Sequence, residues 1–329
     1  MTFGEVPTGE ALGCIVAHGL RVPTGVIKKG TVLNADHLSL LLNAGIDTVV
    51  AVRLAPSDVR EDDAAQQIGE ALTSDGLRLG PSFTGRANII SDTAGVVRID
   101  ARAVHSLNAI DEGLTLATLH DLMRVDADQL VATVKIIPYA LPKTVVATGV
   151  ATLGETPLAL HPFVGGTARL VMTTTPGFKT TLLKKGEDIV RRRLEALNYN
   201  LTDVTVVPHR TEPVAKALNG ETDIILILGA SATSDRADVA PAAVIAAGGA
   251  IDRFGMPVDP GNLLFLGALN GAPVVGLPGC ARSPALNGVD WVLERLSARI
   301  PVRSEDIADM GAGGLLKEMP GRPQPRRPK

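Results

Sequence analysis

The stretch from Asp223 to Gly249 reads DIILILGASATSDRADVAPAAVIAAGG and decides the fold prediction. It begins with the apolar run Ile224 to Leu228, which is typical of a strand buried on both faces of a parallel sheet. Small residues follow, so backbone N–H groups can approach a ligand closely. Asp238 is a predicted helix N-cap, and Gly248 and Gly249 are predicted to end that helix. The pattern therefore predicts a strand, an anion-binding turn and a helix in succession.

The turn after this strand, residues 229–238, is called the signature loop below. The helix N-terminus behind it adds a partial positive charge that favours phosphate. Asp235 and Asp238 would repel a bare phosphate, so they fit an anion site only with a hard divalent cation between acid and phosphate. Turns of small residues are also common packing devices, and neither a dinucleotide fingerprint nor a Walker lysine is present. The candidate ligand-binding residues here are Gly229, Ala230, Ser231, Ala232, Thr233 and Ser234.

The composition is typical of a globular chain with two or three compact units. The chain has 329 residues, 45% of them hydrophobic, and a formal net charge of −3. Mixed charge and only six Phe, two Tyr and one Trp argue against a nucleic-acid-binding surface. The N-terminal residues lack the basic and apolar regions of a secretory signal, so we expect a cytoplasmic protein with free thiols. No apolar stretch is long enough to predict a membrane span.

The first half of the chain predicts an α+β unit. A helix capped by Asn34 and ended by Gly45 precedes the strand TVVAV, and a second helix is predicted from Glu61 to Leu72. The stretch from Leu141 to Gly166 is rich in Pro, Gly and Thr and poor in charge, which predicts a domain boundary. We therefore assign residues 1–160 to an N-terminal α+β domain.

The second half alternates strands and helices, which predicts a mostly parallel sheet covered by helices on both faces. Ligands of such sheets bind at the carboxyl ends of the strands. The helix from Leu182 to Leu197 carries Arg191 to Arg193, and the acid-before-base spacing of Glu187 and Asp188 predicts a solvated helix face. Four segments follow predicted strands and should meet at one edge: Thr173 to Lys179, Pro208 to Glu212, Gly229 to Asp238, and Gly276 to Pro284.

The composition changes past Arg303. Five basic residues and four prolines lie in the last thirteen positions. We assign residues 161–302 to the α/β domain and residues 303–329 to a Gly-, Pro- and Arg-rich tail or linker. Such a tail could bind an anionic partner, although an unstructured connector is the simpler interpretation.

The segments after the strands supply further candidates for chemistry. Arg282 can contact a phosphate through two N–H groups. Cys280 has no partner base in the sequence, and free cysteines are commonly small buried residues. His209 is an acid–base group, a phosphate donor or a solvated loop residue, and the sequence does not select among these roles. The histidines show no zinc-ligand spacing. Candidates for ligand binding outside the signature loop are Thr174, Pro278, Gly279, Arg282 and Ser283.

Four segments carry a family resemblance. IILILGASATSDRADVAPAAV resembles the Gly-Gly-Thr-Gly…Arg-Asp…Pro-Glu-Ala loop of molybdopterin-binding domains, which occur in molybdopterin adenylyltransferases, molybdopterin molybdenumtransferases and gephyrin. MPVDPGNLLFLGALNGAPVVGLPG is similar to the Met-Lys-Pro-Gly…Phe-Gly…Gly-Xaa-Pro-Val…Gly-Leu-Pro-Gly segment of the molybdenumtransferases. GVIKKGTVLNADHLSLLLNAGIDTVVAV resembles the segment that precedes their molybdopterin domain, and EALGCIVAH resembles their N-terminal start. The resemblance covers residues 164–302 and, more loosely, the first fifty residues.

The resemblance implies a three-layer α/β/α domain that binds the phosphate and dithiolene of molybdopterin, in one branch with Mg²⁺ and ATP. Asp235 and Asp238 then become candidate catalytic residues and metal ligands, and a homo-oligomer is implied. Backbone N–H donors do not depend on side-chain identity, so departures from the family pattern impair binding less than catalysis. These departures are His209 and Arg210 where the adenylyltransferases carry acids, Ala230 and Ala232 for glycines, Ala242 for glutamate, and Cys280 and Ala281 in a Gly-Asn-Pro turn.

Three functions follow from the resemblance. The first is a molybdopterin-binding protein of molybdenum cofactor biosynthesis that transfers an adenylyl group to molybdopterin or inserts molybdate into it. The second is a non-catalytic molybdopterin carrier that serves a nucleotidyltransferase. The third is a nucleotide pyrophosphate hydrolase of the competence-damage type. None of the three involves a nucleic acid or a membrane.

Overall fold

The computed structural model describes residues 1–316, and the chain divides into two compact units. Unit 1 is Met1–Leu160, and unit 2 begins at His161. Each unit has its own hydrophobic cluster of buried residues. No helix among the described residues is both long and apolar enough to cross a membrane. The Pro- and Arg-rich residues 317–329 of the predicted tail lie outside the described residues.

Unit 1 combines small, mainly antiparallel sheets with short helices. The sheets have the strand orders β1-β5-β2, β10-β12-β8-β7 and β11-β9-β14, with the pairs β3-β4 and β13-β6 beside them. The helices are α1 (Ala35–Asn43), α2 (Glu61–Glu70), α3 (Ala101–Asn108) and α4 (Lys143–Leu153). The strands are β1 (Thr2–Pro7), β2 (Ile15–Val16), β3 (Leu20–Val22), β4 (Gly25–Ile27), β5 (Thr48–Arg53), β6 (Asp58–Arg60), β7 (Leu77–Leu79), β8 (Arg86–Ser91), β9 (Gly95–Ile99), β10 (Leu114–Thr118), β11 (Met123–Val125), β12 (Leu130–Ile136), β13 (Ala140–Pro142) and β14 (Leu158–Pro162).

Helix ends in unit 1 that the sequence predicts are confirmed. Asn34 Oδ1 accepts a hydrogen bond from the His37 N–H at 2.9 Å and begins α1. Gly45 has a φ of +72°, a conformation that glycine adopts without strain, and follows the end of that helix. α2 begins at Glu61, as predicted, and ends at Glu70.

The stretch from Leu141 to Gly166, in which the domain boundary is predicted, also contains a packed helix. α4 buries Val146 and Leu153. A Cβ on its Gly149 would lie 2.7 Å from Ile68 Cδ1, so α4 lies close to α2. The low charge of this stretch therefore reflects burial of one helix face, and the division between the units falls within the stretch, after Leu160.

Unit 2 contains one six-stranded sheet with the strand order β16-β15-β17-β20-β19-β18. β15, β16, β17 and β20 are parallel, and β18 and β19 add an antiparallel edge. The predicted, mostly parallel sheet is confirmed. The strands are β15 (Gly166–Thr174), β16 (Tyr199–Pro208), β17 (Ile224–Leu228), β18 (Ala250–Phe254), β19 (Phe265–Leu269) and β20 (Ala272–Leu277), and the helices are α5 (Thr180–Glu195), α6 (Thr211–Ala217), α7 (Val239–Ala246), α8 (Gly288–Ser297) and α9 (Ser304–Asp309).

Helices cover both faces of this sheet. On one face, α6 and α7 share a buried cluster with Val171, Ile225 and Val274. On the other face, α5 approaches β17 so closely that a Cβ on Gly186 would lie 3.0 Å from Leu228 Cδ2. Every residue of β17 is buried, which requires cover on both faces. The architecture is the three-layer α/β/α arrangement that the sequence predicts.

Residues 304–316, which the sequence assigns to the tail, are packed. Ile307 is 0%, Met310 5% and Leu316 7% exposed. The Leu316 N–H donates to the Asp259 carbonyl at 3.0 Å. The helical spacing of Ile307 and Met310 is the signal for α9, and the Gly- and Pro-rich composition of the surrounding residues obscures it.

Gly276 of β20 is required by close packing between neighbouring strands. It is paired with Phe265 of β19, which is 1% exposed, and a Cβ at residue 276 would overlap the Phe265 ring. We expect Gly276→Ala to lower the free energy of unfolding by about 1–3 kcal/mol, because an overfilled core forces neighbouring groups to shift. Urea unfolding followed by circular dichroism measures this loss. The control is Gly4→Ala, where a Cβ meets no atom within 4 Å, and an equal loss in both variants would contradict the packing explanation.

Candidate functional site

The carboxyl ends of β15, β16, β17 and β20 meet at one edge of the sheet because these strands are parallel neighbours. Thr174 is paired with Pro208, and Leu228 with Leu277, so the four strands end at similar heights. The segments that follow them are those that the alternation of strands and helices predicts. We call this region the loop edge.

A chain of hydrogen bonds joins three of the four segments. Thr173 Oγ1 lies 2.8 Å from His209 Nδ1, and the Ala230 N–H donates to the same oxygen at 2.7 Å. The His209 N–H donates to the Thr174 carbonyl at 2.8 Å. These contacts fix the His209 ring, so it is not a freely solvated loop residue. The sequence places Thr173 only at the start of a predicted segment after a strand. In the structure this threonine is fully buried, and a buried hydroxyl needs hydrogen-bonding partners, which His209 and Ala230 provide.

The His209 ring stands beside the first residue of the signature loop. A Cβ on Gly229 would lie 3.8 Å from His209 Cε1. The carbonyl of the same glycine accepts a hydrogen bond from Arg282 Nη2 at 2.7 Å. Gly229 therefore lies between a histidine from one segment and an arginine from another.

Arg282 is a partly buried cation at this edge. Burial lowers the pKa of Arg282 from its ordinary value, and no neighbouring charge among residues 1–316 offsets that effect. Within residues 1–316, its guanidinium forms no ion pair with a carboxylate. A guanidinium that is partly removed from water and lacks a counter-charge favours a bound anion, particularly a phosphate or carboxylate that accepts two N–H groups.

The segment after β20 is held in place by Arg193 of α5. Its guanidinium pairs with Asp290 Oδ1 of α8 at 2.6 Å. It also donates to the carbonyls of Ala281, Ser283 and Ala285 at 2.8, 2.8 and 2.9 Å. Its side chain is only 12% exposed. These bonds orient the turn that carries Arg282.

The predicted solvated face of α5 is therefore wrong for Arg193. Arg191 pairs with Glu187 at 2.8 Å, as the spacing predicts. Arg192 is exposed, and within the described chain it forms no ion pair with Asp188. Arg193 faces α8, and no local spacing reveals this because its acidic partner lies 97 residues further along the chain.

Asp235 and Asp238 both hold the backbone of the signature loop. Asp235 Oδ1 accepts from the Ala237 N–H at 2.7 Å. Asp238 Oδ1 accepts from the Val239 N–H at 2.7 Å and Oδ2 from the Ser234 N–H at 3.1 Å, so Asp238 caps α7 as predicted. Each carboxylate oxygen keeps a further lone pair.

A metal ion at these acids would need ligands from elsewhere. Among residues 1–316 no group of three or more His, Cys, Asp or Glu side chains could hold a metal ion. Mg²⁺ is commonly held by one or two carboxylates together with substrate phosphates and water. Asp235 and Asp238 fit that sparse arrangement, and they do not form a protein-only metal cage.

The remaining candidates differ in what they can offer a ligand. Ser231, Ala232 and Ser234 are exposed, and Thr174 and Thr233 are half-buried. Gly279 is exposed at the start of a 3-10 turn, while Pro278 before it is buried. Ser283 supports the turn, because its carbonyl binds Arg193 and its hydroxyl accepts from the Ala285 N–H at 3.3 Å.

Cys280 is exposed at the loop edge. Its thiol accepts a hydrogen bond from Asn287 Nδ2 at 3.1 Å, and Asn287 is 1% exposed. In the part of the chain that the structure describes, no histidine contacts this sulfur. The arrangement gives Cys280 a fixed position and no general base.

Two solved structures are similar to this chain. The molybdopterin biosynthesis moea protein from Pyrococcus horikosii has a TM-score of 0.31 and 15% identity, over 91% of this chain and 76% of that one. A molybdenum cofactor biosynthesis protein from Pyrococcus furiosus has a TM-score of 0.26 and 12% identity, over 91% of this chain and 64% of that one. These values are low, so the chain is similar to both proteins without being assigned to their family. No protein-family model and no curated protein matches the chain.

Proposed function

We propose that this chain binds molybdopterin at the loop edge and acts in molybdenum cofactor biosynthesis. The observation that carries the proposal is the partly buried guanidinium of Arg282, which has no carboxylate partner within residues 1–316 and contacts Gly229 of the signature loop. Molybdopterin supplies a phosphate, which suits an arginine that lies beside small-residue backbone and a helix N-terminus. The resemblance of the signature loop to molybdopterin-binding domains supports the same ligand.

Binding without chemistry is the version that the site supports best. His209 stands where the adenylyltransferases carry an acid, and it is tied to Thr173. Asp235 and Asp238 are engaged by backbone N–H groups of their own loop. The chain then delivers molybdopterin to a nucleotidyltransferase, and adenylyl transfer to molybdopterin or molybdate insertion is the alternative.

The two versions are separated by incubating the protein with molybdopterin, Mg²⁺ and ATP and analysing the products by mass spectrometry. We expect molybdopterin to bind and to remain unmodified. Robust formation of adenylylated product would contradict the carrier version. Release of AMP from ADP-ribose without any pterin affinity would favour the nucleotide pyrophosphate hydrolase.

Asp238 gives a test of the Mg²⁺ site that separates charge from capping. Asn is as good an N-cap as Asp but keeps only one of the two acceptor oxygens, so we expect Asp238→Asn to lose less stability than Asp238→Ala, which loses about 1 kcal/mol. We expect Asp238→Asn to lose any enhancement of molybdopterin binding by Mg²⁺, because the amide carries no charge. Pterin fluorescence titrations with and without Mg²⁺ measure this. An enhancement equal to that of the wild type would remove Asp238 from the metal site.

The resemblance also supports a homo-oligomer. Light scattering during size-exclusion chromatography tests this against the 34.2 kDa mass of one chain. A dimer or trimer is the expected result, and a monomer at all concentrations would contradict it.

A further inference from the structure

The hydroxyl of Thr173 determines which nitrogen of His209 carries the proton. A threonine hydroxyl has one hydrogen to donate and two lone pairs to accept with. One lone pair accepts the Ala230 N–H at 2.7 Å. The contact with His209 Nδ1 at 2.8 Å then has two possible directions. Either the hydroxyl donates to Nδ1, or an Nδ1–H donates to the hydroxyl.

Burial selects the first direction. Thr173 is 0% exposed, and within residues 1–316 its hydroxyl has no hydrogen-bonding partner besides His209 and Ala230. If Nδ1–H were the donor, the hydroxyl hydrogen would be buried without an acceptor, which is unfavourable. The hydroxyl therefore donates to Nδ1, and the neutral ring carries its proton on Nε2.

The Nε2–H group is free to bind a ligand. Within the described chain, Nε2 has no hydrogen-bonding partner. The adjoining ring atom Cε1 lies on the side of Gly229, where a Cβ would be 3.8 Å from this ring atom and 2.9 Å from the Ser231 carbonyl oxygen, so only glycine leaves the backbone unobstructed beside the ring. Arg282 reaches the carbonyl of the same glycine. A neutral donor and a cation thus flank one residue of the signature loop.

We propose that Thr173 holds His209 as a neutral Nε2–H donor, and that this donor and Arg282 together bind the oxygens of a phosphate monoester at Gly229. The inference deepens the proposed function and rests on it, since the phosphate of molybdopterin is such a group. An acid at residue 209 would repel the phosphate or require a cation between them, whereas the histidine donor binds it without a metal ion. His209 is a ligand-binding residue, and Thr173 is the positioning residue behind it.

Two pairs of variants test the two roles. The amide nitrogen of Gln reaches the position of Nε2, and that of Asn reaches the position of Nδ1. We expect His209→Gln to keep molybdopterin affinity within about threefold of the wild type and His209→Asn to lose about tenfold, as for one lost hydrogen bond to a charged group. Thr173→Ser should match the wild type, and Thr173→Val should lose affinity. Equal losses in the Gln and Asn variants would overturn the donor role of Nε2.

A measurement that needs no pterin separates this inference from the proposed function. Long-range ¹⁵N–¹H correlation spectra of the full chain, assigned with His209→Gln, report which ring nitrogen is protonated. We expect the Nε2–H form in the wild type and a shift of that nitrogen on titration with inorganic phosphate. An Nδ1–H form, or an unchanged spectrum at saturating phosphate, overturns the inference. Failure of the wild type to bind molybdopterin while phosphate shifts Nε2 would overturn the proposed function alone.

Discussion

Arg193→Met is expected to lower the free energy of unfolding by about 3–5 kcal/mol, the cost of removing one partner of a largely buried ion pair. The variant leaves Asp290, whose side chain is 16% exposed, without its cation. It also leaves the carbonyls of Ala281, Ser283 and Ala285 without their donor. Methionine keeps the apolar stem of the side chain, so the loss is one of charge and hydrogen bonds. Urea unfolding monitored by circular dichroism measures it.

The neighbouring residue provides a matched control. Arg192 lies on the same helix and is exposed, so Arg192→Met should change stability by less than about 0.5 kcal/mol. Adding Asp290→Asn to Arg193→Met removes the unpaired charge and should recover part of the loss. A loss in Arg193→Met no larger than that in Arg192→Met would show that this ion pair does not hold the turn after β20.

Arg282→Gln is expected to lose roughly 10- to 150-fold in molybdopterin affinity, which corresponds to about 1.5–3 kcal/mol for hydrogen bonds to a charged group. The change should cost little stability, because the guanidinium gives up one hydrogen bond to Gly229 and a partly buried charge that has no counter-ion among residues 1–316. Arg282→Lys keeps the charge and loses the planar fork, so its affinity should fall between those of the other two proteins. Pterin fluorescence titration measures all three.

Arg236 is the control for nonspecific charge effects. It lies in the signature loop, is exposed, and among the described residues donates only to the Ile251 carbonyl at 3.2 Å. Arg236→Gln removes the same charge and should change affinity by less than about threefold, because exposed charges are screened by solvent and salt. Equal losses in the Arg282 and Arg236 variants would mean that net charge, and not the position of Arg282, governs binding.

The parts of the fold that sequence predicts are those set by local patterns. The all-apolar run Ile224 to Leu228 forms a strand buried at every residue, and Asp238 caps the helix after it. Asn34 does the same for α1 through a bond to His37, three residues away. In each case the interaction that decides the structure spans only a few residues, so the sequence contains the signal.

The hairpin of β19 and β20 has a local signal that the strand prediction did not use. Asn270 and Gly271 form its turn with φ values of +51° and +84°. Asn-Gly is the pair that such a turn favours. Gly267 interrupts the apolar run of β19, which makes the strand harder to predict from composition.

The site itself depends on contacts that no local pattern contains. Thr173 meets His209 and Ala230, which lie 36 and 57 residues further along the chain. In the sequence Arg193 is one of three consecutive arginines on a predicted helix. Its ion pair with Asp290 forms only when α8 packs against that helix. Order along the chain predicts that the four segments share an edge, whereas which side chains touch there depends on packing.

Molybdopterin binding at the loop edge is the property on which the proposed function depends. Its most direct test is to purify the wild type and Arg282→Gln anaerobically and to identify co-purified small molecules by mass spectrometry. We predict molybdopterin with the wild type, in an amount approaching one per chain, and little or none with Arg282→Gln. A wild-type protein that carries a nucleotide and no pterin, and that does not take up added molybdopterin, would contradict the claim.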